Sequence, residues 1–113
     1  MKRYCLALDL KDDEELIRKY EEHHKAVWPE IIDSIKGAGI LNMEIYRIGT
    51  RLFMIMETND DFSFEKKNQA DQLNEKVIAW ETLMSTYQQS LPQAKPGEKW
   101  LLMEKIFQWK DKQ

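Results

Sequence analysis

The sequence predicts an α+β domain, one antiparallel sheet with helices on one face, and three observations carry that prediction. Apolar residues cluster or alternate in short runs such as "RYCLALDL", "ILNMEIYRI" and "RLFMIMET". Between the runs they recur every three or four residues, the spacing of a buried helix face. The two middle runs are parted only by Gly49 and Thr50, which predicts a hairpin.

Taken in order, residues 3–10 read as a strand with Leu6, Leu8 and Leu10 on one side. Asp12 or Asp13 can cap the helix that follows, and Glu14 and Glu15 suit the positive end of its dipole. Leu16, Tyr20, Val27, Ile31 and Ile35 keep helical spacing, and Pro29 divides the stretch into two pieces. The glycines of "KGAG" end it. In the hairpin, Leu41, Met43 and Ile45 alternate with Asn42, Glu44 and Tyr46. Phe62 and Phe64 open a second helical region, in which Leu73, Val77, Trp80, Met84, Tyr87 and Leu91 predict one long amphipathic helix stopped by Pro92. "QAKPGEK" reads as a loop, "WLLMEKIFQW" as a last strand and "KDKQ" as a polar tail.

The order strand, helix, strand, strand, helix, strand is ferredoxin-like, βαββαβ, with a four-stranded antiparallel sheet and the helices on one face. At 113 residues the chain fits a single domain, 1–113. The other sheet face is expected to carry large groups such as Tyr4 or Tyr46, and covering it predicts a homodimer through that face.

Composition excludes several function classes. Lys and Arg total 17 against 20 Asp and Glu, and they are interspersed as in "KDDEELIRKYEEHHK", so no basic stripe offers itself to nucleic acid. The lone Cys5 cannot form an internal disulfide, no run approaches a membrane span, and the short N-terminal apolar stretch is broken by Asp9. The expectation is a soluble cytoplasmic protein with no nucleic-acid or membrane partner. GxGxxG, P-loop and HExxH patterns are absent, and one cysteine makes no thiolate cluster, so neither a metal nor a cofactor is expected.

The only two histidines are neighbours, in "KYEEHHKAVWPEI". Helical spacing puts His24 in the apolar stripe below Tyr20 and His23 at its margin. Spacing alone fits a half-buried imidazole that packs and hydrogen-bonds. Spacing favours that reading; the sharper one is a proton-transfer group, since an unperturbed imidazole titrates near neutrality, with the Tyr20 hydroxyl pointing the same way. Trp80 reads by default as core, Trp28 as a wedge at the helix joint, and Glu57 as an exposed edge residue or a second acid/base group.

Over nearly its whole length the chain resembles the L-rhamnose mutarotase family. The resemblance rests on Tyr20, His24, Trp28, Pro29 and Glu30 in the spacing Y-x3-H-x3-W-P-E, the turn at residues 37–39, "NMEIY", "RLFMIME" and the Trp80 region. It implies a dimeric ferredoxin-like α/β barrel that interconverts the α and β anomers of a 6-deoxy-L-hexose. L-rhamnose is the type substrate and L-fucose the alternative. It assigns proton donation to His24 and sugar binding to Tyr20. A second family tyrosine falls on Met43, and a tandem tryptophan pair falls on Ala79 and Trp80. These departures alter the pocket wall while leaving the proton donor in place. Mutarotation needs one group for the ring oxygen and one for the anomeric hydroxyl, with Glu57, water or His24 itself open as the base. The rival from another class is a non-catalytic ligand-binding ferredoxin-like dimer.

Overall fold

Nine residues of largely alternating sequence form β1, Lys2–Leu10, the strand around which the sheet is built in the computed structural model, which describes residues 1–111. Leu6, Leu8 and Leu10 point to one face and are buried there, Leu8 completely. Asp13 accepts hydrogen bonds from the Glu15 and Leu16 amides (3.0 and 3.1 Å) and so starts α1, Glu14–His23. Pro29 occupies the first turn of α2, Pro29–Gly37, where its missing amide costs nothing. The expected division of this stretch is thus observed, with residues 24–28 as the joint.

Gly39 (φ +89°) leads into β2, Ile40–Ile48. Gly49 (φ +57°) and Thr50 then turn the chain into β3, Arg51–Thr58, in the predicted hairpin. Its β2 arm differs from simple alternation. A bulge between Ile40 and Asn42 extrudes Leu41 to solvent and shifts the side-chain parity, so that Ile40 before it and Met43 and Ile45 after it all face the core side.

The second helical region is two helices. Asn74 accepts from the Lys76 and Val77 amides (3.1 and 3.3 Å) and breaks the run into α3, Phe64–Gln72, and α4, Glu75–Ser85. Leu73 sits at the break and faces solvent. Val77, Trp80 and Met84 are the buried stripe of α4. Tyr87 and Leu91 are buried beyond the helix, whose end at Ser85 precedes β4, Gln88–Gln89.

The sheet order is β2-β3-β1-β4, all antiparallel, with β5, Leu101–Leu102, also beside β1. Gln88 and Gln89 pair with Leu10 and Asp9, whereas Leu101 and Leu102 pair with Ala7 and Leu6. That edge is thus made of two short pieces: β5 falls within the expected final strand, whereas β4 falls where the long helix was expected to continue. This is the α+β, ferredoxin-like arrangement the sequence predicts. The long final strand is not formed: regular pairing covers only two residues of it, and Ile106, Phe107 and Trp109 are exposed. Lys112 and Gln113, the end of the polar tail, lie outside the described residues.

Two core clusters lie between sheet and helices. One gathers Leu10, Tyr20, Leu52, Trp80 and Met84, and the other Leu6, Ile40, Met54, Met56 and Phe62. Tyr4 belongs to this side, not to the open face, with its ring 4.8 Å from Phe64 and 5.8 Å from Phe62. The reason is parity: residue 4 points with residues 6, 8 and 10. Tyr46, 53% exposed, is on the open face as expected. No helix among the described residues is long and apolar enough to cross a membrane.

Leu8→Ala should lower unfolding free energy by about 2–5 kcal/mol, because it empties a fully enclosed site. Asn74→Ala should cost about 1 kcal/mol through the lost cap. Urea melts with an unchanged m-value would measure both.

Candidate active site

Helix α1 ends where its carbonyls run out of amide partners. The His24 amide bonds to the Glu21 carbonyl (3.1 Å), one residue short of the regular α-helical acceptor, Tyr20. The Tyr20 carbonyl instead meets the ring of His24, whose Nδ1 lies 2.8 Å away. A carbonyl only accepts, so Nδ1 carries the hydrogen. In the neutral ring, Nε2 is then left with its lone pair.

Aromatic rings hold that imidazole. The Tyr20 ring lies 4.5 Å from it and the Trp80 ring 5.7 Å, edge-on. Trp28 meets Trp80 at 5.1 Å, also edge-on, so the wedge at the helix joint buttresses one wall of the site. His23 turns a different way. Its Nε2 is 3.0 Å from the Tyr87 hydroxyl, and its ring packs on Tyr87 and Trp80. Consecutive helical residues point about 100° apart, which separates the two histidines.

Tyr20, His24, Met43 and Trp80 line one cavity of about 1120 Å³ between the helices and the sheet. Met43 is half-buried on β2, and the apolar floor beside it is Leu6, Met54 and Met56. Ala79 is elsewhere. It is exposed on α4 and does not line the cavity, because Val77, Trp80 and Met84 take the inward positions of that helix. Glu57 is also remote. It lies on the opposite sheet face, where Arg3 (3.1 Å) and Asn42 (3.3 Å) bind its carboxylate and hold its pKa below the ordinary value. It therefore does not supply a base to this cavity.

Several lining groups carry no signal in the sequence alone. Arg47 bonds to the Glu21 carboxylate and donates to the Gly49 carbonyl (2.7 Å), linking β2 to α1. Gln88 approaches the Tyr20 hydroxyl with its amide nitrogen (3.5 Å). The Arg47–Glu21 and Gln88–Tyr20 contacts join residues far apart in sequence, and only the fold brings them together. Burial raises the Tyr20 pKa, with Glu81 adding to the rise and the Gln88 contact opposing it, so the phenol stays protonated at neutral pH. Among the described residues no group of three or more His, Cys, Asp or Glu is gathered as a metal site would require.

Comparison with known proteins agrees with this architecture. A family model described as L-rhamnose mutarotase matches residues 3–109. The L-fucose mutarotase of Xanthomonas campestris pv. campestris is 43% identical over 109 residues, covering 95% of this chain and 87% of that protein. A UPF0734 protein of Dictyostelium discoideum is 37% identical over 113 residues, covering 94% and 88%. Among solved structures, the L-rhamnose mutarotase FA22100 of Formosa agariphila superposes with a TM-score of 0.71 at 21% identity, covering 97% of this chain and 100% of that one. The tetracenomycin F2 cyclase of Streptomyces glaucescens, a type-II polyketide cyclase, gives 0.60 at 16%, covering 98% and 99%. At such identities the last two speak for the fold alone.

The raised Tyr20 pKa makes a stability prediction. An unfolded tyrosine ionises near pH ~10, whereas the buried phenol resists ionisation. The native state then holds the proton more tightly, so this contribution is complete below that pH and is lost as pH rises through the folded pKa. Tyr20→Phe should show a shallower alkaline loss of stability than the wild type in urea melts between pH 9 and roughly 11.5.

Proposed function

The chain belongs to the L-rhamnose mutarotase family, and from that premise we propose that it interconverts the anomers of a free 6-deoxy-L-hexose, L-fucose foremost, with His24 moving the proton. It is an isomerase acting on sugar anomers. The observation that carries the mechanism is the 2.8 Å contact between His24 Nδ1 and the Tyr20 carbonyl, which leaves Nε2 as the ring's free basic nitrogen.

In the proposed step, Nε2 takes the proton of the anomeric hydroxyl as the C1–ring-oxygen bond breaks and the carbonyl forms. The imidazolium so made returns that proton to the departing ring oxygen. Both oxygens are bonded to C1, so one nitrogen between them serves both. The open-chain aldehyde then turns about the C1–C2 bond. The same two proton movements, run in reverse, close the ring on the other face of C1. No electron pair leaves the system and no net proton is consumed. Because one imidazole acts as base and then acid, the second catalytic group left open by the sequence is not required.

Tyr20 would orient the sugar with a phenol kept neutral by burial, and Trp80 would offer its apolar flank to the sugar's C–H face or methyl group. L-fucose is favoured by the extent of identity with the Xanthomonas relative. It also fits the loss of a phenol at Met43, which lines the cavity, relative to the rhamnose pattern. L-rhamnose is the second reading, favoured by the family description and the structural neighbour. A homodimer belongs to the same proposal. The open sheet face carries half-buried Cys5, Ala7, Phe53 and Ile55 beside exposed Tyr46 and Ile48, and a second copy would cover them.

NMR saturation transfer between the two anomeric protons is the test. His24→Ala should fold as the wild type does by circular dichroism yet lose anomer-exchange catalysis by roughly 10²–10⁴-fold. A folded variant with undiminished exchange would falsify the role of His24. In the same assay L-fucose should exchange faster than L-rhamnose in the wild type, and Met43→Tyr should move the ratio toward L-rhamnose. The opposite wild-type order would select the second reading.

A further inference from the structure

Gln88 occupies a position that the fold reserves for apolar side chains. It is the first residue of β4 and pairs with Leu10, and cross-strand partners in antiparallel strands point to the same face. Leu10 is buried in the core cluster that includes Tyr20 and Trp80. The amide of Gln88 is therefore directed to the helix side of the sheet.

One pole of that amide meets the Tyr20 hydroxyl at 3.5 Å. The other, Oε1, is buried and has no hydrogen-bond partner, and it is the one buried side-chain nitrogen or oxygen in that state among the described residues. Turning the amide over exchanges its ends without changing the balance: one end faces the phenol and one is left over. Buried polar groups are normally paired, so an unpaired one calls for a partner absent from the free protein. Gln88 lines the same cavity as Tyr20, His24 and Trp80, so a rotation of its side chain would bring the spare pole to a substrate seated there.

We infer that Gln88 is a substrate-binding, specificity-determining residue whose spare amide pole hydrogen-bonds a ring hydroxyl of the sugar. L-fucose and L-rhamnose differ in the orientation of the hydroxyls at C2 and C4, so a planar amide turned to the cavity reads one of these and not its epimer. A site built to bond a hydroxyl discriminates strongly, because the wrong sugar leaves the amide buried and unpaired. The inference rests on the reading of this cavity as the 6-deoxyhexose site and deepens it.

The experiment compares wild type with Gln88→Met, which keeps the chain length and removes both amide poles. Anomer exchange is measured on L-fucose, L-rhamnose, and the 2-deoxy and 4-deoxy forms of the preferred sugar. The variant should lose roughly 10- to 100-fold in kcat/KM on the preferred sugar. Its fucose-to-rhamnose ratio should contract toward one, and the deoxy sugar lacking the hydroxyl that is read should be handled about as well by the variant as by the wild type. A loss equal on all four sugars would mean that Gln88 acts only by supporting Tyr20, and would overturn the inference, as would no loss at all.

Should Gln88→Met fail to fold, the side-chain amide resonances of Gln88 in the wild type give the answer. They should shift on titration with the preferred sugar and stay fixed with its matching deoxy form. Resonances that stay fixed with the sugar overturn the inference. A wild type that speeds exchange of none of these sugars overturns the site reading and this inference with it, whereas normal wild-type exchange with an unchanged ratio in the variant removes Gln88 alone.

Discussion

A helix that stops leaves carbonyls without amides, and at the end of α1 one of them fixes the orientation of a cavity-lining imidazole. The His24 amide bonds to the Glu21 carbonyl, which strands that of Tyr20, and the His24 ring fills the vacancy with Nδ1–H. One contact thereby ends the helix, orients the imidazole and selects its tautomer. Pro29 and Trp28 hold the chain in the bend that this ending requires. Trp28 reaches across to Trp80, so the joint is braced against the opposite helix. A regular helix continued through residue 24 would occupy the Tyr20 carbonyl with a backbone amide and leave the ring without a fixed hydrogen.

The sheet supplies the other half of the site. β1 runs between β3 and the edge pieces β4 and β5, and its inward Leu10 packs in one cluster with Tyr20 of α1 and Trp80 of α4. The bulge near Leu41 is a small event with a large effect, because a one-residue slip reverses the face of every side chain after it. With the bulge, Met43 and Ile45 line the core side and Glu44 and Tyr46 point away. Met43 then belongs to the cavity wall and Glu57 to the opposite face, tied to Arg3.

Much of this was legible in the sequence. Asp13, Pro29, Gly39 and Gly49 each carry a local constraint that acts within a few residues, and the elements they bound were found where they were expected. His24 and Tyr20 share a face by helical spacing alone. The misread parts involve competition that spacing does not encode. Asn74 is as acceptable to periodicity as any polar residue, but its side chain captures two amides and splits the expected helix. "WLLMEKIFQW" is apolar enough for a strand, yet a strand needs a neighbour with free backbone groups, and regular pairing with β1 covers two of its residues. Tyr4 shares the parity of Leu6, Leu8 and Leu10 along β1 and so packs on the helix side against Phe62 and Phe64, not on the open face. Gln88 had no signal at all, since its meaning comes from Leu10 beside it and Tyr20 across the core.

The charges around the cavity bear on what it can accept. Three of its lining side chains are cationic, Lys25, Arg47 and Lys67, and each is bonded to a carboxylate, of Glu22, Glu21 and Asp71 respectively. A phosphorylated sugar would have to displace one of those carboxylates to find a counter-charge, and Glu81, which already opposes ionisation of the Tyr20 phenol, would repel it further. At the aromatic end the available polar groups are the protonated Tyr20 phenol, the Gln88 amide and the His24 imidazole. These exchange hydrogen bonds with hydroxyls and offer no fixed charge to an anion. In a buried setting such bonds gain strength from the low local dielectric, and each unpaired group costs correspondingly more. The cavity thus sets hydrogen-bonding groups suited to hydroxyls beside the apolar flank of Trp80.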